Sequence, residues 1–209
     1  MNVAKAAFFD GQVRAPWAAT EYGEDEAPKI HRLLTEAHIR KGLRLLEPGC
    51  GTGRLTEILA GAVGSSGRVE ALEISPLMVE ASRKRLADQR NVRVHHVALE
   101  DYRDSGQGFD RIVCHQVFPH FDHKPAAVMR LADLLRPDGL VVIVHFINFA
   151  EINDVHRKAG TTVEHDLMPP FEELDRLFRR AGLGIDRFAD DALGYILRAR
   201  PLAGAARCC

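Results

Sequence analysis

Two features of this 209-residue chain carry residue types at spacings that can do chemistry. The first is Glu47-Pro48-Gly49-Cys50-Gly51-Thr52-Gly53, an acid followed by glycines at alternate positions. Glycines so spaced let a backbone turn sharply and approach a ligand that a Cβ would hold off. A helix-patterned run follows, and its free N–H groups and positive dipole end favour a polar or anionic ligand group. The even spacing departs from the Gly-x-Gly-x-x-Gly of nicotinamide sites. Glu73 falls about twenty residues later, where an acid that accepts bonds from both ribose hydroxyls belongs. The second feature is a series of histidines. His115, His120, His123 and His145 fall at or just beyond the ends of two later apolar runs, and His156 and His165 follow in a less regular segment. Imidazole titrates near neutral pH and suits proton removal from a nucleophile.

Alternating strands and helices must position these residues. The hydrophobic spacing predicts a helix over 28–39, a strand over 43–47, and a helix over 54–62 that opens from the glycine loop. A second strand spans 68–73, and Ser75-Pro76 reads as a cap residue followed by proline at the first helical position. Strands follow at 92–97 and 109–115, then a helix over about 124–135, closed by the turn signal Pro137-Asp138-Gly139. The run 140–146 is almost wholly apolar, as a covered central strand should be. Residues 147–170 break the alternation, with one short helical stretch around 152–158. A helix over 171–181 carries Phe171, Leu174, Leu177, Phe178 and Ala181 in register, and 185–189 with 194–198 reads as a closing antiparallel pair. Phe8, Phe9, Trp17 and Tyr22 lie in an amino-terminal segment without periodicity. Such alternation argues for an α/β fold with a sheet covered on both faces.

Composition bounds the partners. Net charge is -1, with 46% hydrophobic and 27% charged residues, so no general field favours nucleic acid or an anionic membrane. Basic clusters such as Arg83-Lys84-Arg85 and Arg179-Arg180 sit in helical runs and read as solvated faces. The four cysteines make no disulfide framework. Cys50 lies in the loop, Cys114 in a strand, and Cys208 and Cys209 at a frayed end. This usage suits a reducing cytoplasm. The start lacks an apolar signal region, and 140–150 is too short to span a bilayer. The expectation is a cytoplasmic protein with a small-molecule substrate, no nucleic acid and no membrane, and its oligomeric state is not legible.

"LLEPGCGTGRLTEIL" (45–59) followed by "VEALEISPLMVEAS" (69–82) resembles the first two motifs of the class I S-adenosylmethionine-dependent methyltransferases. "LLRPDGLVVIVH" (134–145) resembles a later motif of the same superfamily. The resemblance covers roughly 28–200. It implies a Rossmann-like, doubly wound, seven-stranded, mostly parallel sheet with an antiparallel last strand, and S-adenosyl-L-methionine at the carboxyl ends of strands one to four. Carried over by position, Glu47, Gly49, Cys50, Gly51 and Gly53 flank the methionine part, Glu73 holds the ribose, and Ile74 and Met78 pack near the adenine. Leu99, Glu100 and His115 complete the expected cofactor set. The usual Gly-Asp-Ala of the third motif is Val97-Ala98-Leu99 here, so Glu100 or Asp101 must stand in for its aspartate. Phe8-Phe9-Asp10, Phe118-Pro119-His120-Phe121 and Ile152-Asn153-x-x-His156 resemble a bacterial subgroup of methyltransferase domains. The resemblance therefore implies a single methyltransferase domain over 1–209, with 1–27 as an amino-terminal cap and 147–170 as a lid-like insertion.

Methyl transfer is an in-line displacement, so the nucleophile must be held close and aligned, and a base is required only where it carries a proton that must leave. The expected reaction is methyl transfer to a small-molecule O, N or S nucleophile, with His120, His145 or His156 as catalytic residue in a pocket lined by Phe118, Phe121 and Phe146. A metal ion is a second, less favoured reading: three histidines plus Asp166 could supply a zinc-like set, although no short ligand spacing supports it. His123, opening a helix, reads as structural. The alternatives are a nucleic-acid or protein methyltransferase and a non-catalytic cofactor-binding module. The first is weakened by His115-Gln116-Val117-Phe118 in place of an Asp/Asn-Pro-Pro-Tyr/Phe motif. A nicotinamide dehydrogenase is disfavoured by the glycine spacing and by the lack of a Tyr-x-x-x-Lys pair.

Overall fold

The structure is a computed structural model that describes residues 1–104 and 106–203. Cys208 and Cys209 therefore lie outside the described residues. Seven strands make one mixed sheet of order β3-β2-β1-β4-β5-β7-β6. The chain packs as two compact units, one of Met1–Tyr102 and one from Arg103 onward.

The first unit holds helices α1 (Val3–Asp10), α2 (Pro16–Ala19), α3 (Ala27–Glu36), α4 (Arg54–Val63) and α5 (Pro76–Arg85), and strands β1 (Arg44–Pro48), β2 (Arg68–Glu73) and β3 (Val92–His96). β2 runs parallel to β1 and to β3, with Glu47 beside Ala71 and Glu73 beside His96. Parallel pairing leaves the carboxyl ends of β1 and β2 at one edge, so the glycine loop and Glu73 emerge together. Leu45 and Leu46 in β1, Val69 and Ala71 in β2, and Leu59 and Val63 in α4 are completely buried. Each large aliphatic side chain so removed from water contributes roughly 1.5–3 kcal/mol. Ser75 caps α5 as its sequence requires, its hydroxyl accepting from the Met78 N–H at 3.1 Å. The amino-terminal aromatics, which show no periodicity in the sequence, lie on or beside α1 and α2.

The second unit holds β4 (Phe109–His115), a 3-10 turn (Phe118–His120), α6 (Lys124–Leu134), β5 (Leu135–His145), α7 (Phe149–Lys158), α8 (Phe171–Arg180), β6 (Leu183–Asp191) and β7 (Gly194–Pro201). β4 and β5 are parallel, whereas β7 runs antiparallel to both β5 and β6. The turn expected at Pro137-Asp138-Gly139 falls inside β5. Pairing with β4 jumps from Phe109–Leu135 to Arg111–Leu140, so the extra residues bulge out of the ladder and the strand resumes beyond them. The irregular segment is more ordered than its spacing suggested. α7 is a full helix closed at its start by a reciprocal cap, with Asn148 and Glu151 each bonding the other's backbone N–H. In α8, Leu174, Leu177 and Phe178 form the buried stripe, while Phe171 is partly exposed and stacks on Phe188 with ring centroids 4.6 Å apart. No helix among the described residues is long and apolar enough to cross a membrane.

Candidate functional site

In the first unit the site is built mainly from backbone. Gly49, Gly51 and Gly53 have φ values of +68°, +56° and +84°, a region that L-residues with side chains rarely adopt. A Cβ on Gly53 would meet Leu86 Cδ1 at 3.0 Å and Ser82 Cβ at 3.2 Å, and one on Gly51 would lie 3.8 Å from Met78 Sδ. Glu73, 5% exposed, is held by three backbone donors. Its Oε2 accepts from Gly51 N at 2.9 Å, and its Oε1 accepts from Ile74 N at 2.8 Å and Ser75 N at 2.9 Å. A carboxylate offers about four acceptor positions, so this arrangement leaves about one for a ligand hydroxyl rather than a free bidentate pair. Burial raises the Glu73 carboxyl above its ordinary range against the pull of those three N–H groups.

Glu47 stands at the end of β1, 2% exposed, and its Oε2 has no hydrogen-bond partner. Burial, with the nearby Glu73 charge adding, pushes its carboxyl up to about 8. A buried acid with one bare oxygen, a loop whose glycines keep side chains out of the backbone's approach, and a second acid on the loop fit a cofactor with a cationic group and a hydroxylated sugar. S-adenosylmethionine has both. Met78 is buried, Ile74 half-buried and Leu99 buried, whereas Glu100 is exposed. Cys50 is a free, buried thiol whose pKa burial raises well above the ordinary range.

The amino-terminal segment docks on this loop. Asp10 Oδ1 accepts from Ser75 Oγ at 2.5 Å and from Leu77 N at 2.9 Å, tying α1 to the start of α5. Thr52 Oγ1 donates to Ala18 O at 2.5 Å, Arg54 donates to Trp17 O, and the Arg54 guanidinium lies 3.8 Å from the Tyr22 ring centroid. Asp10 was legible only as part of a resembling motif, and its bonds to Ser75 and Leu77 had no signal in spacing.

In the second unit the polar groups come from side chains far apart in sequence. His120 Nδ1 lies 2.9 Å from Asp166 Oδ2, and His120 Nε2 lies 3.3 Å from His156 Nε2. His156 Nδ1 donates to Ile152 O at 2.6 Å, one helical turn back. The segment bearing Asp166 is latched to α7 by Asn153, whose side chain accepts from Met168 N at 2.7 Å and donates to Met168 O at 3.3 Å. Ile152, Asn153 and His156 thus share the buried face of α7. The 3-10 turn brings in His120, anchored by Phe118, which is completely buried and packs edge-on against Phe121 at 5.7 Å. Gln116, just before it, has φ of +52°, a strained backbone at the mouth of β4.

His145 ends β5, 3% exposed, and its Nε2 has no partner. Burial, then the charges of His115, His120 and His156, holds its pKa well below the ordinary range, so the ring is neutral at physiological pH. Tyr195 pairs with His145 across β5 and β7, and its buried hydroxyl likewise has no partner. Sequence reading missed Tyr195; its register opposite His145 becomes visible only once the antiparallel pairing is known. His115, placed in the expected cofactor set, stacks on Phe146 with centroids 4.6 Å apart. His123 caps α6, its Nδ1 accepting from Ala126 N at 3.1 Å, which is the structural role expected of it. His165 has a side chain 90% exposed and stands apart from the cluster.

Comparison with known proteins bears on this arrangement. Residues 46–141 match a family model described as a methyltransferase domain. The chain is 31% identical over 125 residues to a ubiquinone/menaquinone biosynthesis C-methyltransferase of Coxiella burnetii, covering 56% of this chain and 50% of the relative. It is 29% identical over 111 residues to a demethylmenaquinone methyltransferase of Staphylococcus aureus, covering 53% of this chain and 46% of the relative. The chain thus spans about half the length of these curated relatives. Among solved structures it resembles an S-adenosylmethionine-dependent methyltransferase from Aquifex aeolicus, with TM-score 0.68, 16% identity, and 95% of this chain and 97% of that one covered. A TehB-like methyltransferase from Corynebacterium glutamicum matches with TM-score 0.61 and 20% identity, covering 95% of this chain and 97% of that one. The Rossmann-like methyltransferase fold is therefore shown, and the findings together support the class I S-adenosylmethionine-dependent methyltransferase superfamily.

Proposed function

We propose that this protein transfers the methyl group of S-adenosylmethionine to an O, N or S nucleophile of a small molecule. The observation that carries the reading is the loop after β1, where three glycines at positive φ lie beside two buried acids. When bound, the cofactor supplies a methyl group on a sulfonium. Glu47 receives its amino group, and the glycine loop with Glu73 receives the ribose side. Ile74, Met78 and Leu99 pack on the adenine.

In the second unit, His120, His145 and His156 act on the acceptor. Neutral His145 is the hydrogen-bond partner for an acceptor hydroxyl or amine, and His120, backed by Asp166, is the residue placed to receive a departing proton. The free thiols of Cys50 and Cys114 support a cytoplasmic setting. The relatives named for quinone biosynthesis favour a second acceptor class, a quinol methylated at carbon.

Calorimetric titration with S-adenosylmethionine, S-adenosylhomocysteine and NADH is the first test. Binding of the first two alone is expected, and binding of NADH alone, or of none, overturns the reading. Turnover of labelled S-adenosylmethionine against thiols, amines, phenols, quinols and bulk RNA then sorts the acceptor classes. Methylation of RNA alone would move the protein to the nucleic-acid class, and cofactor binding without turnover of any acceptor would leave a binding module.

A further inference from the structure

Among the described residues no three His, Cys, Asp or Glu side chains converge as a metal-ligand set, the second unit's histidines included. The first unit poses a different problem, at Glu47. Its side chain is nearly sealed, yet the amino group of the proposed cofactor has to reach the bare Oε2. Some element beside it must therefore move. The groups that act on Glu47 come from three places: Thr56 on α4, Glu73 at the end of β2, and Tyr22 between α2 and α3. α4 and β2 belong to the core, with Leu59, Val63, Val69 and Ala71 completely buried. The stretch around Tyr22 does not, since of residues 11–26 only Ala18 is buried. A segment with so little apolar burial opens at a small fraction of the global unfolding free energy.

What holds this stretch down is polar, and it sits on the cofactor loop or beside it. Thr52 Oγ1 and the Arg54 guanidinium donate to the carbonyls of Ala18 and Trp17, and that guanidinium also covers the Tyr22 ring. From α5, Arg85 grips Glu21 with two bonds, Nη2 to Oε1 at 2.5 Å and Nη1 to Oε2 at 3.0 Å. Burial raises the Tyr22 phenol above its ordinary range, the Arg54 cation opposes that and the Glu47 charge adds to it, so the phenol lies within reach of both. We propose, resting on the cofactor reading above, that residues 11–26 are a strap that gates the cofactor. Closed, it seals the Glu47 end of the cradle. It lifts off Thr52 and Arg54 to let the amino-acid end of S-adenosylmethionine in and that of S-adenosylhomocysteine out. The Arg85–Glu21 pair latches the strap in the free and the loaded protein alike, so it sets the rate of exchange rather than the affinity.

Trp17, the single tryptophan of the chain, sits on the strap and is half exposed, so its fluorescence follows the strap directly. On stopped-flow mixing with S-adenosylhomocysteine, the observed rate should level off at high ligand concentration, at the opening rate. Glu21→Gln and Arg85→Met each break the latch without touching the cradle. Each should raise that plateau and the release rate alike, by about threefold, the scale of an exposed ion pair, with Kd changed by less than about twofold. Salt should speed the parent and leave Glu21→Gln almost unmoved. In the free protein, the bonded amides of Ala18, Ala19 and Thr20 should exchange hydrogen about threefold faster in either variant, with β1 and β2 unchanged. A rate that rises linearly without a plateau overturns the gate, as does unchanged exchange in both variants. Affinity lost at an unchanged association rate overturns it too, because the strap would then clamp the ligand. Failure of S-adenosylhomocysteine to bind in calorimetry is a separate result, which removes the cofactor reading and the gate with it.

Discussion

Glu73 and His145 are both polar, both nearly sealed from water, and placed at the carboxyl ends of strands in different units. Around Glu73 the backbone supplies every partner, from Gly51, Ile74 and Ser75. Around His145 Nε2 there is no partner at all, and the hydroxyl of Tyr195 opposite it is equally bare. A buried polar atom without a hydrogen bond costs about 1–3 kcal/mol, so His145 and Tyr195 carry a stability penalty that Glu73 avoids. The contrast fits two kinds of ligand. A backbone-built cradle suits one fixed molecule, as the proposed cofactor is. Bare side-chain atoms suit a guest that arrives and leaves, and completes their bonding while it is there.

The largest effect should come from filling the cradle. Gly53→Val adds a β-branched side chain at φ +84°, with its Cβ 3.0 Å from Leu86 Cδ1. Strain of about 1–3 kcal/mol from the backbone alone is expected. S-adenosylhomocysteine affinity should fall by about 100-fold or more, the equivalent of about 2.7 kcal/mol. Calorimetry checks the second and urea unfolding the first. Binding within a few-fold of the parent would mean that the loop is not the cofactor cradle.

That the loop was readable at all, and the histidine cluster only as scattered candidates, has a physical cause. Glycine spacing encodes backbone shape locally, so Gly49 to Gly53 and the strand–loop–helix around them can be read within one window. Ser75-Pro76 is local in the same way. The His120–His156–Asp166 set spans 46 positions, and its geometry depends on a 3-10 turn, a capped helix and the Asn153 latch acting together. Single histidines were visible, but not which of them meet. The β5 bulge hid for a related reason: Pro137-Asp138-Gly139 is a genuine turn signal, yet the partner strand resumes pairing beyond it.

Next in size is the proton on Glu47. Burial holds the carboxyl up at about 8, so it is mostly protonated at pH 7, and a cationic amino group requires it ionised. S-adenosylhomocysteine binding should therefore release close to one proton at pH 7 and tighten as pH rises from 6 toward 8. Calorimetry in buffers of different ionisation heat measures the proton directly. Glu47→Gln should bind about tenfold more weakly and lose the pH dependence over that window. The same raised pKa has a sign for folding: its contribution is fully present below the unfolded carboxylate value and is lost as pH rises through about 8. The free parent should thus lose stability across that range relative to Glu47→Gln. A flat proton balance in the parent would place the amino group elsewhere.

A smaller effect is expected where the amino-terminal helix meets the loop. Asp10→Ala removes the acceptor of Ser75 Oγ and Leu77 N, a loss comparable to a helix cap at about 1 kcal/mol. Because Ser75 N also bonds Glu73, cofactor affinity should fall by a few-fold as well. Stability lost with affinity unchanged would make α1 a docked terminus and no part of the site.

The smallest effect has the opposite sign and tests the comparison most directly. Tyr195→Phe deletes a hydroxyl that is buried without a partner, so stability should rise, by about 1 kcal/mol in urea unfolding. Burial also holds the phenol far above its ordinary pKa, so it stays neutral and no charge is lost with it. If the bare hydroxyl is kept for the acceptor, the more stable variant should have an acceptor KM raised about tenfold with S-adenosylhomocysteine affinity unchanged. A gain in stability with KM intact would show that His145 alone meets the guest. A loss of stability would show that the hydroxyl has a partner in solution, and the contrast between the two regions would then rest on His145 only.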